Sequence, residues 1–153
     1  MLDYNSMISF FEEYIAHYRT ILDFENQKVK MIVLNDIDGL NASISKEQAL
    51  IMQTNSYEKK RLGLIDEENK AKTFRQIIAE APQDIAPKLR ESHEELSKLI
   101  FEIKKVNKYA EEIVNTKLSS LNKASDERFT QSYDKGGAKK QFENEKVSLN
   151  KGI

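Results

Sequence analysis

The stretch PKLRESHEELSKLIFEIKKVNKYAEEIVNTKLSSL, residues 87–121, decides the fold of this chain. Its apolar residues recur at steps of three, four and seven, the spacing that places side chains on one face of an α-helix. The pattern predicts a long amphipathic helix from about Pro87 to Leu121, which is roughly 50 Å at the α-helical rise. Polar Asn107 lies inside this stripe. The stripe consists of Leu89, Leu96, Ile100, Ile103, Ala110, Val114 and Leu121, widened by Leu99, Val106, Ile113 and Leu118.

Another long helix is predicted at the start of the chain, from about Asp3 to Leu34. Apolar residues again follow steps of three and four, with one interruption at Glu25. The run from Asn35 to Gly39 ends this helix, because aspartate and glycine are typical of helix caps and tight turns. The first helix also holds six aromatic residues, which we interpret mainly as core, with a partner-binding groove as the alternative.

The second helix is predicted to begin at Asp36 or Asp38 and to pack more weakly than the other two. Polar Gln48, Asn55 and Glu58 fall on its apolar face and reduce the apolar area that it can bury. The apolar positions on that face are Ile37, Leu40, Ile44, Ile51, Leu62 and Ile65.

The composition agrees with a helical fold. The chain has 153 residues, and its five glycines and two prolines are too few for an all-β protein. We therefore predict an all-α fold, an elongated antiparallel bundle or coiled coil of about three long helices in residues 1–124. Residues 125–153 are predicted to be a flexible, partner-binding tail, because apolar residues there are too sparse to bury a core.

The sequence shows no pattern for catalysis or metal binding, so we expect no enzyme and no cofactor. It has no cysteine, and His93–Ser97 begins like a zinc HExxH motif but has serine where the second histidine must stand. The other histidine, His17, is distant in the chain. Lysine and arginine number 24 against 25 aspartates and glutamates, so no net basic charge favours nucleic acid.

The chain is expected to be cytoplasmic and not to insert into a membrane. No stretch approaches the roughly 20 apolar residues that span a bilayer. The start, residues 1–6, lacks the basic segment of a signal peptide.

Taken in their order along the chain, several sequence features resemble those of the FlgN-type flagellar export chaperones. The resemblance extends over the whole chain. The long first helix ends in an acidic break with a leucine, and the charged second helix carries a Lys/Arg-Leu step. The third helix has an asparagine in a leucine-rich context, and a Tyr-x-x-Gly step and a hydrophobic final stretch follow it. In this sequence the features are Asn35–Leu40, Glu58–Leu62, Leu96–Val114 with Asn107, Tyr133–Gly136 and Val147–Leu149.

The resemblance implies a cytoplasmic chaperone of flagellar type III export. Such a chaperone shields the amphipathic terminal helices of hook-associated proteins, which are the hook-filament junction subunits, and delivers them to the gate of the flagellar export apparatus. It further implies that Tyr133 and its surroundings contact the gate or the cargo. The candidate partner-binding residues are Asn107, Val114, Leu118, Leu121, Phe129, Tyr133, Gly136, Gly137, Phe142, Val147 and Leu149.

Two other functions remain open from the residues alone. One is a structural coiled-coil or adaptor protein that self-associates through the third helix, for example as a homodimer. The other is a regulator that sequesters another helical protein. The spaced aromatic residues of the tail fit a recognition segment and a disordered or back-folded end equally well.

Overall fold

The computed structural model describes residues 2–128, and four α-helices lie within that range. They are α1 (Tyr4–Val33), α2 (Ile37–Gly63), α3 (Phe74–Glu80) and α4 (Ala86–Arg128), with a 3-10 turn at Glu67–Asn69. No β-strand occurs among these residues, so the predicted all-α fold is confirmed.

The bounds of the long helices differ little from the prediction. α1 ends one residue before Leu34, whereas α4 continues past Leu121 to Arg128 because no glycine or proline interrupts it there. Residues 125–128, predicted as the start of the tail, are therefore helical. The rest of the predicted tail lies outside the described residues.

The turn between α1 and α2 is held by backbone hydrogen bonds and by a cap. The N–H of Asp36 donates to the carbonyl of Met31 at 2.9 Å, and that of Asn35 donates to Ile32 at 3.2 Å. This is the Schellman pattern, with Asn35 in the left-handed region at a φ of 55°. Asp36 then caps α2, because its carboxylate accepts from the N–H of Gly39 at 2.9 Å.

Gly39 therefore lies inside the first turn of α2 and does not make the reversal itself. A Cβ atom at this position would collide with the Asp36 carboxylate. A residue with a Cβ atom here would require the capping carboxylate to shift.

The short helix α3 was not predicted, although the sequence carries its signal. Thr73 and Gln76 form a capping box, in which the Gln76 N–H donates to Thr73 Oγ1 at 3.2 Å and the Thr73 N–H donates to Gln76 Oε1 at 2.8 Å. The helix that follows buries Ile77 and Ile78.

The helices pack as two units, and each has its own core. Unit 1 combines Met1–Phe24 with Gln48–Ile103. In this unit α1 and α2 run antiparallel, because Tyr14 pairs with Glu58 and His17 pairs with Thr54. Its buried core consists of Met7, Phe10, Phe11, Tyr14, Ile15, Ile77, Ile78, Leu89 and Leu96.

Within the described residues, unit 2 combines Glu25–Glu47 with the part of α4 that begins at Lys104, and its core is much smaller. The partly buried Val29, Leu40 and Ile113 pack against it. The buried members of this core are Ile32, Ala110, Val114 and Leu118.

The predicted apolar face of α2 is wrong at three positions. Ile37, Ile44 and Leu62 are exposed, whereas Ser43 and Leu50 are buried. The buried face carries polar groups that form tertiary hydrogen bonds and ion pairs with α1, and these contacts decide which face of α2 turns inward.

We expect the substitution Ile103→Asp to lower the free energy of unfolding by about 3–5 kcal/mol, because it places an unpaired carboxylate in the core. Ile103 is 4% exposed, and two residues earlier in α4 Phe101 is 67% exposed. The matched control Phe101→Asp should cost less than about 1 kcal/mol. Both variants introduce the same residue into one helix, so their difference in urea unfolding, followed by circular dichroism, measures burial. Equal losses would contradict the assignment of these two faces.

Candidate partner-binding surface

Several large apolar side chains on α1, α2 and α4 of unit 2 are exposed, and three of them lie at the α1–α2 turn. Leu34 is 76% exposed and Ile37 is 62% exposed. A single exposed apolar residue is ordinary on a protein surface, but these two lie close together in the chain. Leu121 of α4, in the same unit, is 49% exposed. We name this set the hairpin surface, and its members are Val33, Leu34, Ile37, Ile44 and Leu121. Clustered exposed apolar residues are typical of protein interaction sites.

The backbone of the turn presents these side chains in a defined arrangement. The Schellman bonds and the Asp36 cap fix the chain on both sides of Leu34 and Ile37. Ile37 and Ile44 are seven residues apart in α2, which places them on one helix face about two turns apart.

α4 is tied to the turn through Lys117. Its Nζ donates to the carbonyl of Val33 at 3.2 Å and to Asn35 Oδ1 at 2.6 Å. The first bond satisfies a carbonyl at the end of α1 that has no partner within its own helix. Leu121 follows Lys117 by one helical turn and so extends the hairpin surface onto α4.

Unit 2 also buries an unbalanced group of charges. Lys28 Nζ lies 3.2 Å from Glu47 Oε1 and 3.9 Å from Glu25 Oε2, so one lysine faces two carboxylates. Glu25 is 1% exposed, and within the described residues neither of its oxygens accepts a hydrogen bond. Burial raises the pKa of Glu25, Glu47 adds to that increase, and Lys28 opposes it. A buried carboxylate without hydrogen bonds destabilises the unit that contains it.

His17 has a structural role in unit 1. Its Nε2 lies 2.8 Å from Thr54 Oγ1, and burial lowers its pKa, which favours the neutral ring. Within residues 2–128, no three histidine, aspartate or glutamate side chains converge in an arrangement that could hold a metal ion. Over the same residues, no helix is long and apolar enough to span a bilayer.

The structure separates those candidate residues of the sequence analysis that it describes into three groups. Val114 and Leu118 belong to the core of unit 2, Asn107 is half-buried, and Leu121 is exposed on the hairpin surface. The remaining candidates lie outside the described residues. These are Phe129, Tyr133, Gly136, Gly137, Phe142, Val147 and Leu149.

Sequence reasoning missed most of the hairpin surface. Ile37 and Ile44 were assigned to the inner face of α2, and Val33 and Leu34 were not singled out. One signal was present: Met31–Leu34 is the longest apolar run, and it leads directly into a capped turn, where a buried helix face ends.

One comparison with known proteins gives a match. The model of a family described as FlgN protein matches residues 1–138. The match therefore covers all the described residues of both units. No curated protein and no solved structure matches the chain.

We expect Glu25→Gln, which removes the buried charge and keeps the side-chain shape, to stabilise the protein at about pH 8 by about 1 kcal/mol or more. The pKa of Glu25 is raised in the folded protein. The free-energy cost of burying its ionised carboxylate is therefore present in full above the folded-state pKa. It disappears as the pH falls into the ordinary carboxyl range, where the residue is neutral in the folded and unfolded states alike. The stability difference between the two proteins should therefore shrink on acidification.

Urea unfolding at a series of pH values measures this difference. Glu12→Gln, at an exposed position of the same helix, serves as the control and should leave the pH dependence of stability unchanged. A gain from Glu25→Gln that stays constant down to about pH 4 would show that the buried charge is not its cause.

Proposed function

Because the chain belongs to the FlgN family, which is a family of flagellar export chaperones, we propose that it binds hook-filament junction subunits and delivers them to the type III export gate. The proposal places this activity in the cytoplasm, without catalysis, membrane insertion or nucleic-acid binding. Before assembly, the terminal helices of such subunits have an amphipathic face that needs cover, and a helical chaperone can provide it by helix-in-groove packing.

The observation that carries the proposal is the hairpin surface. An amphipathic helix presents anchors at steps of three, four and seven residues, and Ile37 and Ile44 have the same spacing on α2. Leu34 and Leu121 extend the apolar area beside them. Burial of a large apolar side chain in such a contact contributes about 1.5–3 kcal/mol before the entropic cost of association is subtracted, so these residues act as anchors within a wider contact.

Because the core of unit 2 is small, the contact with a cargo helix can extend beyond the hairpin surface to residues that are buried in the free protein. Val114 and Leu118 are buried, so they reach a cargo helix only if unit 2 opens. Glu25 and the single lysine shared by two carboxylates reduce the cost of that opening, because exposure to water relieves the desolvation of the charges. Local opening of the least stable part of a structure is a common basis of binding.

The proposal assigns the last 25 residues, 129–153, a second contact with cargo or gate. They follow the last described residue of α4, and this end of α4 belongs to the unit that bears the hairpin surface. Their aromatic residues, Phe129, Tyr133 and Phe142, are suitable anchors for short recognition segments.

One observation favours the alternative of a self-associating coiled-coil or adaptor protein. Phe101 and Tyr109 on α4 are both exposed, and a second α4 could cover them. Size-exclusion chromatography with light scattering separates the two functions. A dimer that dissociates in the variant Phe101→Ser and binds no junction subunit would favour the alternative.

We expect the double substitution Leu34→Ser and Ile37→Ser to weaken binding of a junction subunit from the same source at least about tenfold. Because both side chains are exposed, the free energy of unfolding should change by less than about 1 kcal/mol. The measurement is isothermal titration calorimetry with the purified subunit, alongside urea unfolding.

The matched control is Met52→Ser with Leu62→Ser, two exposed apolar residues of α2 in unit 1. The control should retain the affinity of the unsubstituted chain. If the control loses as much affinity as the hairpin variant, or if neither loses any, the hairpin surface is not the binding site.

Truncation after Arg128 tests the contribution of residues 129–153. We expect the unfolding midpoint to stay unchanged, because both cores lie within the described residues. The affinity for the subunit or for the purified gate component should fall. Retained affinity for both partners in pull-down and calorimetry would remove this segment from the proposal.

A further inference from the structure

Unit 1 contains an apolar cavity of about 200 Å³ that the proposed function does not use. Its floor is formed by the buried side chains of Met7, Ile77 and Leu96, which belong to the core. The cavity therefore rests on the better-packed of the two cores, and its floor needs no rearrangement to receive a ligand.

Its wall is aromatic and comes from three helices. The ring of Phe74 lies between Phe11 of α1 and His93 of α4, with ring centroids 4.7 Å and 5.2 Å apart. Phe74 is the first residue of α3, so the capping box at Thr73 holds its backbone in place. An engineered apolar cavity of about 150 Å³ binds benzene, which shows that a volume of this order holds one aromatic ring.

The two charged side chains that line the cavity are cations, and each is paired with a carboxylate that does not line it. Arg61 and Lys72 line it, and none of the described residues that line it is an aspartate or glutamate. Arg61 donates through Nε and Nη2 to one oxygen of Glu58, at 3.1 Å and 3.0 Å, and Lys72 donates to Glu80 at 2.5 Å. Both pairs are partly exposed, and such pairs contribute about 1 kcal/mol or less. Either cation can therefore turn to an incoming carboxylate at small cost.

We propose that this cavity binds an aromatic side chain that stands next to carboxylates in an acidic segment of a partner protein. The ring enters against Phe74 and His93, and the flanking carboxylates pair with Arg61 and Lys72. This combination of an aromatic anchor and charge-assisted hydrogen bonds is a common basis of peptide recognition. The site lies in unit 1, apart from the hairpin surface of unit 2, and the inference does not depend on the proposed function.

The chain lacks tryptophan, so a peptide with one tryptophan reports its own binding by fluorescence. The probe is the capped pentapeptide Ser-Asp-Trp-Asp-Ser, and its counterpart has lysine in place of each aspartate. We expect saturable binding of the acidic peptide with a blue shift of its emission, and at least tenfold weaker binding of the basic one.

Neutral substitutions at the rim test the two cations. Arg61→Gln and Lys72→Gln should each weaken binding of the acidic peptide at least threefold. The matched controls Lys60→Gln and Lys70→Gln remove neighbouring exposed lysines that do not line the cavity, and they should bind like the unsubstituted chain. Amide NMR shifts on titration should be largest at Phe74 and His93.

Three results would overturn the proposal. They are no saturable binding of the acidic peptide, equal binding of the acidic and basic peptides, and equal effects of rim and control substitutions. Decanoate provides a further probe: saturable binding of this fatty acid without binding of the acidic peptide would assign the cavity to an anionic amphiphile instead.

Discussion

The polar seam between α1 and α2 is the constraint on which the rest of the structure depends. In unit 1 the Tyr14 hydroxyl donates to Glu58 and His17 pairs with Thr54, and in unit 2 Lys28 pairs with Glu47. Burial, followed by the hydrogen bond to Glu58, raises the pKa of Tyr14, so the hydroxyl keeps its proton and remains a donor. Such pairs set the register of two antiparallel helices well, but they remove little apolar area from water.

Apolar burial must therefore come from the other faces, and the two units differ in how much they obtain. In unit 1 the aromatic residues of α1 meet α3 and α4 and form an extensive core. In unit 2, where α3 takes no part, four buried residues form the core, and the same region holds the buried carboxylate of Glu25, which accepts no hydrogen bond from the described residues and lies 3.9 Å from Lys28. Stability is consequently expected to be uneven along the chain, since local stability follows buried apolar contact.

The polar seam also explains why apolar residues remain on the surface. With its polar side facing α1, α2 turns Ile37 and Ile44 outward, beside a turn that already exposes Leu34. The chain belongs to a chaperone family, and this arrangement suits the binding of another protein. An exposed apolar surface on a weakly packed unit can cover the apolar face of an amphipathic helix. The cavity of unit 1 has the opposite character, with a buried floor, a small volume and a charged rim.

The residue pattern alone predicts the three long helices and the turn between the first two. These features depend on periodicity, caps and residue types within a few positions of each other, and even the overlooked α3 has a local signal in Thr73 and Gln76. Only the tertiary structure decided which face of α2 is buried, that Leu118 is core while Leu121 is exposed, and that Glu25 lies inside. The physical reason is that each of these outcomes is set by a partner distant in the chain: Glu58 for Tyr14, Ile32 for Leu118, and Lys117 for the turn at Asn35. A helical stripe defines the direction in which side chains point, but the free energy of burying them depends on what the fold places opposite.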